Sequence, residues 1–175
     1  MHILMCNDDG ILADGLRHLA SYLSQYYRIT VVAPANEQSA KSHALTTEVP
    51  LKLDACNGED ENPRLYALTG TPSDCMKFGL SYLLADDMPD LVISGINHGF
   101  NLGSDVLYSG TVSAAMESGF YGIPGLALSV ERYSVERGDE MHPFIHELIK
   151  KIYVAGQFSG LLNVNFPLRG TCDWD

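Results

Sequence analysis

His2-Ile3-Leu4-Met5-Cys6-Asn7-Asp8-Asp9-Gly10 is an unbroken, largely apolar run that ends in an amide, two carboxylates and a glycine. Five such residues without alternation suit a strand covered on both faces, as in a parallel sheet. Adjacent carboxylates at the strand exit repel each other and lose hydration, so solvent or a divalent cation must offset them. Ligands of open α/β sheets bind at the carboxyl ends of the strands, and that position favours the cation.

Working outward from this turn, Asp14 is placed to cap a helix over about residues 15–26, with Leu16, Leu19, Ala20 and Leu23 on one face. Residues 28–33 read as a second strand, closed by Pro34, which completes a parallel, right-handed βαβ unit. A long polar loop, 35–48, follows. Short β segments at 51–53 and 64–68 flank an acidic turn in the manner of a hairpin. A helix then runs from the Thr69-Gly-Thr-Pro-Ser-Asp74 segment to about residue 85, capped by Ser73 or Asp74. The remaining pattern is a buried strand at 91–94, a Gly- and Asn-rich segment at 95–111, a helix at about 112–121 and a strand at 126–130. A helix from about Pro143 to residue 154, marked by Ile145, Leu148, Ile149 and Ile152, and a last strand at 161–166 complete it. The class is α/β, a doubly wound, mostly parallel sheet flanked by helices, in a single domain over residues 1–175.

The totals narrow the function. The 175 residues are 46% hydrophobic and 19% charged, which suits a globular domain with a real core. Eleven basic against twenty-two acidic residues give a net charge of −11, which disfavours a nucleic-acid polymer or an anionic membrane surface as partner. Cys6, Cys56, Cys75 and Cys172 have no C-x-x-C spacing and read as reduced thiols. With no leader pattern and no apolar run of membrane length, the expected location is cytoplasmic.

Three loops, 7–10, 35–43 and 95–111, leave predicted strands and open on one edge of a parallel sheet. They offer Asp8 and Asp9, then Ser39 or Ser42, then Asn97, Asn101 or Asp105. Hard oxygen donors of this kind suit Mg²⁺ or Mn²⁺ and not a structural zinc. Ser109-Gly110-Thr111 precedes a helix, whose N–H groups and dipole can hold a phosphate, although Ser and Thr are equally ordinary helix caps. Neither a Walker sequence nor a G-x-G-x-x-G turn is present, so P-loop and dinucleotide folds are disfavoured. His43 and His98 lie in candidate loops, where they can contact substrate or move protons. His142 and His146 are expected on an exposed surface. His2 and His18 suggest no site.

Taken in order, Asn7-Asp8-Asp9-Gly10, the Ser39 loop with Ser42-His43 and Leu45-Thr46, and Gly70-Thr71-Pro72-Ser73-Asp74-Cys75 begin a series of motifs. Ser94-Gly95-Ile96-Asn97-His98-Gly99-Phe100-Asn101-Leu102-Gly103, Tyr108-Ser109-Gly110-Thr111-Val112 and Asn163-Val164-Asn165-Phe166-Pro167 continue it. Together they resemble the survival protein E (SurE) family of metal-dependent 5′(3′)-nucleotidases. The resemblance implies a Rossmann-like core and hydrolysis of nucleoside 5′- and 3′-monophosphates, with short polyphosphate as a side substrate. It places one divalent cation per subunit, Mg²⁺ or Mn²⁺, on Asp8, Asp9, Ser39 and Asn97; beside such an ion Asp8 or Asp9 is the expected catalytic group, orienting a water or taking its proton. Asn101 and Ser109, Gly110 and Thr111 are implied to hold the phosphate, while His43 is expected on the substrate from its loop position. The family pattern also implies a homodimer or tetramer built with a C-terminal hairpin and helix, elements this chain is expected to lack. Gln38 and Ala40 stand where the family commonly has Arg and Gly. The competing readings are a truncated, inactive relative and a non-enzymatic Mg²⁺-binding module like a receiver domain. Against the latter, residues 91–94 lead to Gly-Ile-Asn instead of a phosphoacceptor Asp.

Overall fold

The computed structural model describes residues 1–39, 41–154 and 158–167, with side chains of 152–154 outside the description. Ala40, Cys172, the side chain of Ile152 and everything after Pro167 therefore fall outside the described residues. Seven strands form one sheet: β1 (His2–Cys6), β2 (Arg28–Pro34), β3 (Leu53–Ala55), β4 (Arg64–Leu68), β5 (Leu91–His98), β6 (Gly125–Val130) and β7 (Leu161–Phe166). Their spatial order is β3-β4-β2-β1-β5-β6-β7, and every pairing is parallel except the β3–β4 hairpin. The chain winds outward from β1 through β2 to β4, then crosses back to β5 on the other side of β1. The crevice at the carboxyl ends of β1 and β5 is thus a topological switch point, where such sheets bind ligands.

Period-two alternation along the strands divides the core into two layers. Ile3, Met5, Ile29, Val31, Leu91 and Ile93 face α1 (Asp14–Leu23) and α4 (Val135–Val154). Leu4, Cys6, Val32 and Val92 face the opposite layer, against Cys75 and Met76 of α2 (Pro72–Phe78). On that same side α3 (Gly110–Glu117) sets Val112 and Ala115 on Ala127 of β6. Small residues let α3 approach the sheet closely, which brings its amino end to the switch point.

Several boundaries differ from the sequence reading, each for a local reason. Helix α1 ends at Leu23, and Ser24–Tyr27 close as tight turns, with Tyr26 N–H bonded to the Leu23 carbonyl. Asp14 lies inside its first turn, while the cap position is Ala13, which makes no side-chain bond. In α2 the cap is Thr71, not Ser73 or Asp74: its hydroxyl accepts from Asp74 N–H, and the Asp74 carboxylate accepts from Thr71 N–H. That is a capping box with Asp at its fourth position. The α2 helix gives way to a π-helical turn at Gly79–Leu83. Strand β5 runs on to His98, through a bulge that sets Ser94 opposite Ala127 but Asn97 opposite Ser129. Gly95 makes the bulge possible: its φ is 132°, and a Cβ there would sit 2.3 Å from the Leu128 carbonyl oxygen.

The largest difference is α4, which starts at Val135 and carries Pro143 inside it. The Ser134 hydroxyl accepts from Arg137 N–H and starts the helix eight residues before the proline. The extra turns put His142 on the buried stripe with Ile145 and Ile149, so it is not an exposed surface histidine. Its ring lies 5.2 Å from that of Tyr22 on α1, and its Nε2 has no hydrogen-bond partner. Of the thiols, Cys6 and Cys75 are buried and Cys56 is exposed, all three free. No described helix is long and apolar enough to cross a membrane.

Burial pushes the His142 pKa down to about 4; Asp139 pulls it up and His18 pushes it further down. In the unfolded chain the imidazole titrates near its ordinary 6.5. Between these values the unfolded state binds the additional proton, so stability must fall as pH drops through that window. By pH 4 the loss is on the order of 2–3 kcal/mol. The variant His142→Phe, which retains a ring against Tyr22, is expected to show a much smaller drop in melting temperature between pH 7 and pH 4.5. Identical drops in thermal melts of the two proteins would refute this assignment of the acid sensitivity.

Candidate metal and phosphate site

The β1 turn is braced before any ligand is considered. Asn7, fully buried, donates from Nδ2 to the Gly10 carbonyl and accepts at Oδ1 from Gly10 N–H, both at 3.1 Å. This fixes where Asp8 and Asp9 point. The Asp8 carbonyl accepts from Gln38 N–H at 2.8 Å, which fastens the loop after β2 onto the turn after β1.

Asp8 is only 6% exposed. Its Oδ1 accepts from the Thr111 hydroxyl, and it lies against Gly110, where a Cβ would come within 2.9 Å of its own. Glycine at position 110 therefore admits the carboxylate to the amino end of α3. Burial pushes the Asp8 pKa up, while the hydroxyl and backbone N–H of Thr111 pull it down. Half-buried Asp9 is pushed up to about 6, first by burial and then by the charges of Asp8 and Glu37; the His98 backbone N–H opposes this. Among the described residues, no Lys or Arg forms an ion pair with either carboxylate.

The other expected residues divide. Ser39, exposed, donates its hydroxyl hydrogen to Glu37 Oε1 at 2.6 Å, so its oxygen lone pairs stay available. Asn97 donates from Nδ2 to the Gly99 carbonyl at 2.8 Å, leaving Oδ1 as an acceptor without a donor among the described residues. Ser42, the alternative to Ser39, donates its hydroxyl hydrogen to the Leu107 carbonyl at 2.9 Å, which ties it to the segment leading into α3. Asp105 lies exposed in the 3₁₀ segment Gly103–Leu107. Among the described residues no three His, Cys, Asp or Glu side chains converge as metal ligands. A cation here would rest on two carboxylates and the neutral oxygens of Ser39 and Asn97, a hard donor set that fits Mg²⁺ or Mn²⁺.

At the phosphate side, Ser109 is the cap of α3, its Oγ accepting from Val112 N–H at 3.1 Å. Thr111 faces Asp8, so an anion at this helix end would share it with a carboxylate. Asn101 is buried and held from three sides. Its N–H donates to Asn165 Oδ1, its Nδ2 to Ser129 Oγ, and its carbonyl accepts from Asn163 and Asn165. His43 does not join this cluster. It pairs through Nε2 with buried Glu117, beside a cavity of about 330 Å³ lined also by Leu45, Lys77, Phe120 and Tyr121. Gly110 and Glu117, seven residues apart, are separated by about 10 Å along α3.

Sequence reasoning gave no role to Glu37, to Glu117 or to Asn163 and Asn165, although the two asparagines stand in one of the motifs quoted above. Glu37 had a usable signal, since it lies two positions before Ser39 in the same loop. Glu117 had none, because its partner His43 is 74 residues away.

An α/β protein with a carboxylate-lined switch point is the class these features define. A sequence profile described as Survival protein SurE matches residues 3–175. The "5'-nucleotidase SurE" of Thermoanaerobacter sp. (strain X514) is 48% identical over 168 residues, 95% of this chain and 66% of that protein. The protein of the same name from Thermosipho africanus is 45% identical over 172 residues, covering 95% and 65%. A solved SurE protein from Aquifex aeolicus superposes with a TM-score of 0.80 at 37% identity, covering 95% of this chain and 66% of that one. The chain belongs to the SurE family. It spans about two thirds of the length of the relatives it matches.

The Asp8–Thr111 bond gives a test that needs no substrate. Thr111→Val removes the hydroxyl but leaves Asp8 buried, and a lost hydrogen bond to a charged group costs about 1.5–3 kcal/mol. Urea unfolding in the presence of a chelator is expected to show that loss with an unchanged m-value. A variant as stable as the parent would mean that Asp8 does not depend on this bond.

Proposed function

We propose that this chain is the core of a divalent-metal-dependent phosphomonoesterase that hydrolyses nucleoside 5′- and 3′-monophosphates, and short polyphosphate besides, to release phosphate. The observation that carries the reading is the Asp8 carboxylate, buried against the amino end of α3 with no basic side chain paired to it among the described residues. A helix end favours anions, yet an anion bound there stands next to a negative charge. A cation between the two satisfies both. The names of the relatives favour nucleotides as the phosphate source.

Asp8, Asp9, Ser39 and Asn97 would hold that ion, one Mg²⁺ or Mn²⁺. When bound, such an ion supplies positive charge for phosphate oxygens and lowers the pKa of a water it touches. The chain's own residues do the rest. Of the first-turn N–H groups of α3, that of Val112 is held by the Ser109 hydroxyl and that of Thr111 is spent on Asp8, so among the described residues Gly110 N–H is left to face the equatorial oxygens as charge builds on them. Asn101, fixed by Ser129 and the β7 asparagines, lines the phosphate side of the crevice. Asp9, less buried than Asp8, accepts a hydrogen bond from the attacking water and aligns it opposite the leaving ribose oxygen.

Phosphate release should be measured for a panel of nucleoside monophosphates with Mn²⁺ or Mg²⁺, with chelator, and for Asp8→Asn. The expected result is turnover that the chelator abolishes and that falls about 100-fold or more in the variant, equivalent to about 2.7 kcal/mol or more of lost transition-state stabilisation. Hydrolysis that persists undiminished in chelator and in Asp8→Asn would falsify the mechanism.

A further inference from the structure

We propose that Ser42 is a positioning residue that ties the metal-side loop to the phosphate-side helix end, so that occupancy of one strengthens occupancy of the other. This rests on the metal and phosphate reading above. Ser42 is the one described non-glycine residue with a positive φ, 53°. That left-handed conformation is natural for glycine and disfavoured for serine. What serine adds is the hydroxyl, which donates to the Leu107 carbonyl at 2.9 Å, while its N–H donates to the adjacent Tyr108 carbonyl at 3.2 Å. Two bonds to consecutive carbonyls fix both the position and the direction of the 107–108 segment.

The placement gives those bonds their consequence. Ser39 is bracketed by two anchors, the Gln38 N–H on the Asp8 carbonyl and Ser42 on residues 107 and 108. Tyr108 in turn leads directly into Ser109, the cap of α3. Ser39 and Ser42 stand three positions apart in one loop, so the tie at Ser42 is the point where the helix end and the metal-side loop meet. Beyond Ser42 the loop is pinned to other elements. His43 pairs with Glu117, the Thr71 hydroxyl donates to the Ala44 carbonyl, and Thr46 donates from both N–H and hydroxyl to Asp74. Those contacts hold the loop to α2 and the far end of α3. Among the described residues, the hydrogen bonds that join it to the approach to the phosphate site are those of Ser42.

The experiment is Mn²⁺ titration of the full chain by calorimetry, with and without inorganic phosphate, for the parent, Ser42→Ala and Ser42→Gly. Coupling between sites commonly changes affinity about 5- to 150-fold. The parent is expected to bind Mn²⁺ tighter with phosphate present, and both variants are expected to lose roughly 2- to 10-fold of that enhancement, the share of one neutral hydrogen bond. Melting temperatures separate positioning from plain stability. Ser42→Gly relieves the backbone and should melt at or above Ser42→Ala, yet lose the same coupling. Variants that retain the parent's full enhancement overturn the role of Ser42 and leave the site reading standing. A parent whose Mn²⁺ affinity ignores phosphate overturns both.

Discussion

A carboxylate buried at the amino end of a helix is the contact on which this site is built. Asp8 leaves β1 under the constraint of the Asn7–Gly10 brace and meets α3 where Gly110 has no side chain. The helix end welcomes its charge, and the Thr111 hydroxyl satisfies one of its oxygens. Burial nevertheless raises its pKa, because one helix end and one hydroxyl do not replace the water it has lost. Asp9 and Glu37 add negative charge beside it. The region is a local deficit of positive charge inside a well-braced frame, and its chemistry follows from how that deficit is met.

The frame is rigid for reasons that lie elsewhere in the chain. Strands β1 and β5 are buried on both faces, and their carboxyl ends flank the switch point. The bulge after Ser94 adds one residue to β5, which changes the direction in which Asn97 leaves the strand. Loops that would otherwise move independently are fastened across the crevice, the β2 loop to Asp8 through Gln38 and to the α3 approach through Ser42. Side chains contributed by distant segments can then be held within the tolerance that metal coordination demands.

Much of this was legible in the sequence, and the failures have physical causes. The βαβ order, the parallel sheet and the hairpin at its edge follow from apolar runs and turn residues that act locally. Topology brings the loops that carry Asp8 and Asp9, Ser39 or Ser42, and Asn97, Asn101 or Asp105 to one edge, and the choice of Ser39 and Asn97 among them comes from the family resemblance. Where tertiary contacts decide, local signals mislead. Pro143 looks like a helix start because proline suits a first turn, yet the Ser134 cap begins α4 earlier and turns His142 inward. For His43 the local sequence shows the loop but not the partner, Glu117, which lies on another element. Ser39 and Ser42 are equivalent oxygen donors by residue type, and their different partners, Glu37 for one and the Leu107 carbonyl for the other, are set by the fold and not by the local sequence.

The central claim, that one cation is held by oxygens from three loops at the switch point, is tested most directly by crystals soaked in Mn²⁺ and measured near the manganese absorption edge. The account predicts a single anomalous peak within coordination distance of Asp8, Asp9, Ser39 and Asn97. A peak elsewhere, or none with these four side chains clear of any ion, would contradict it.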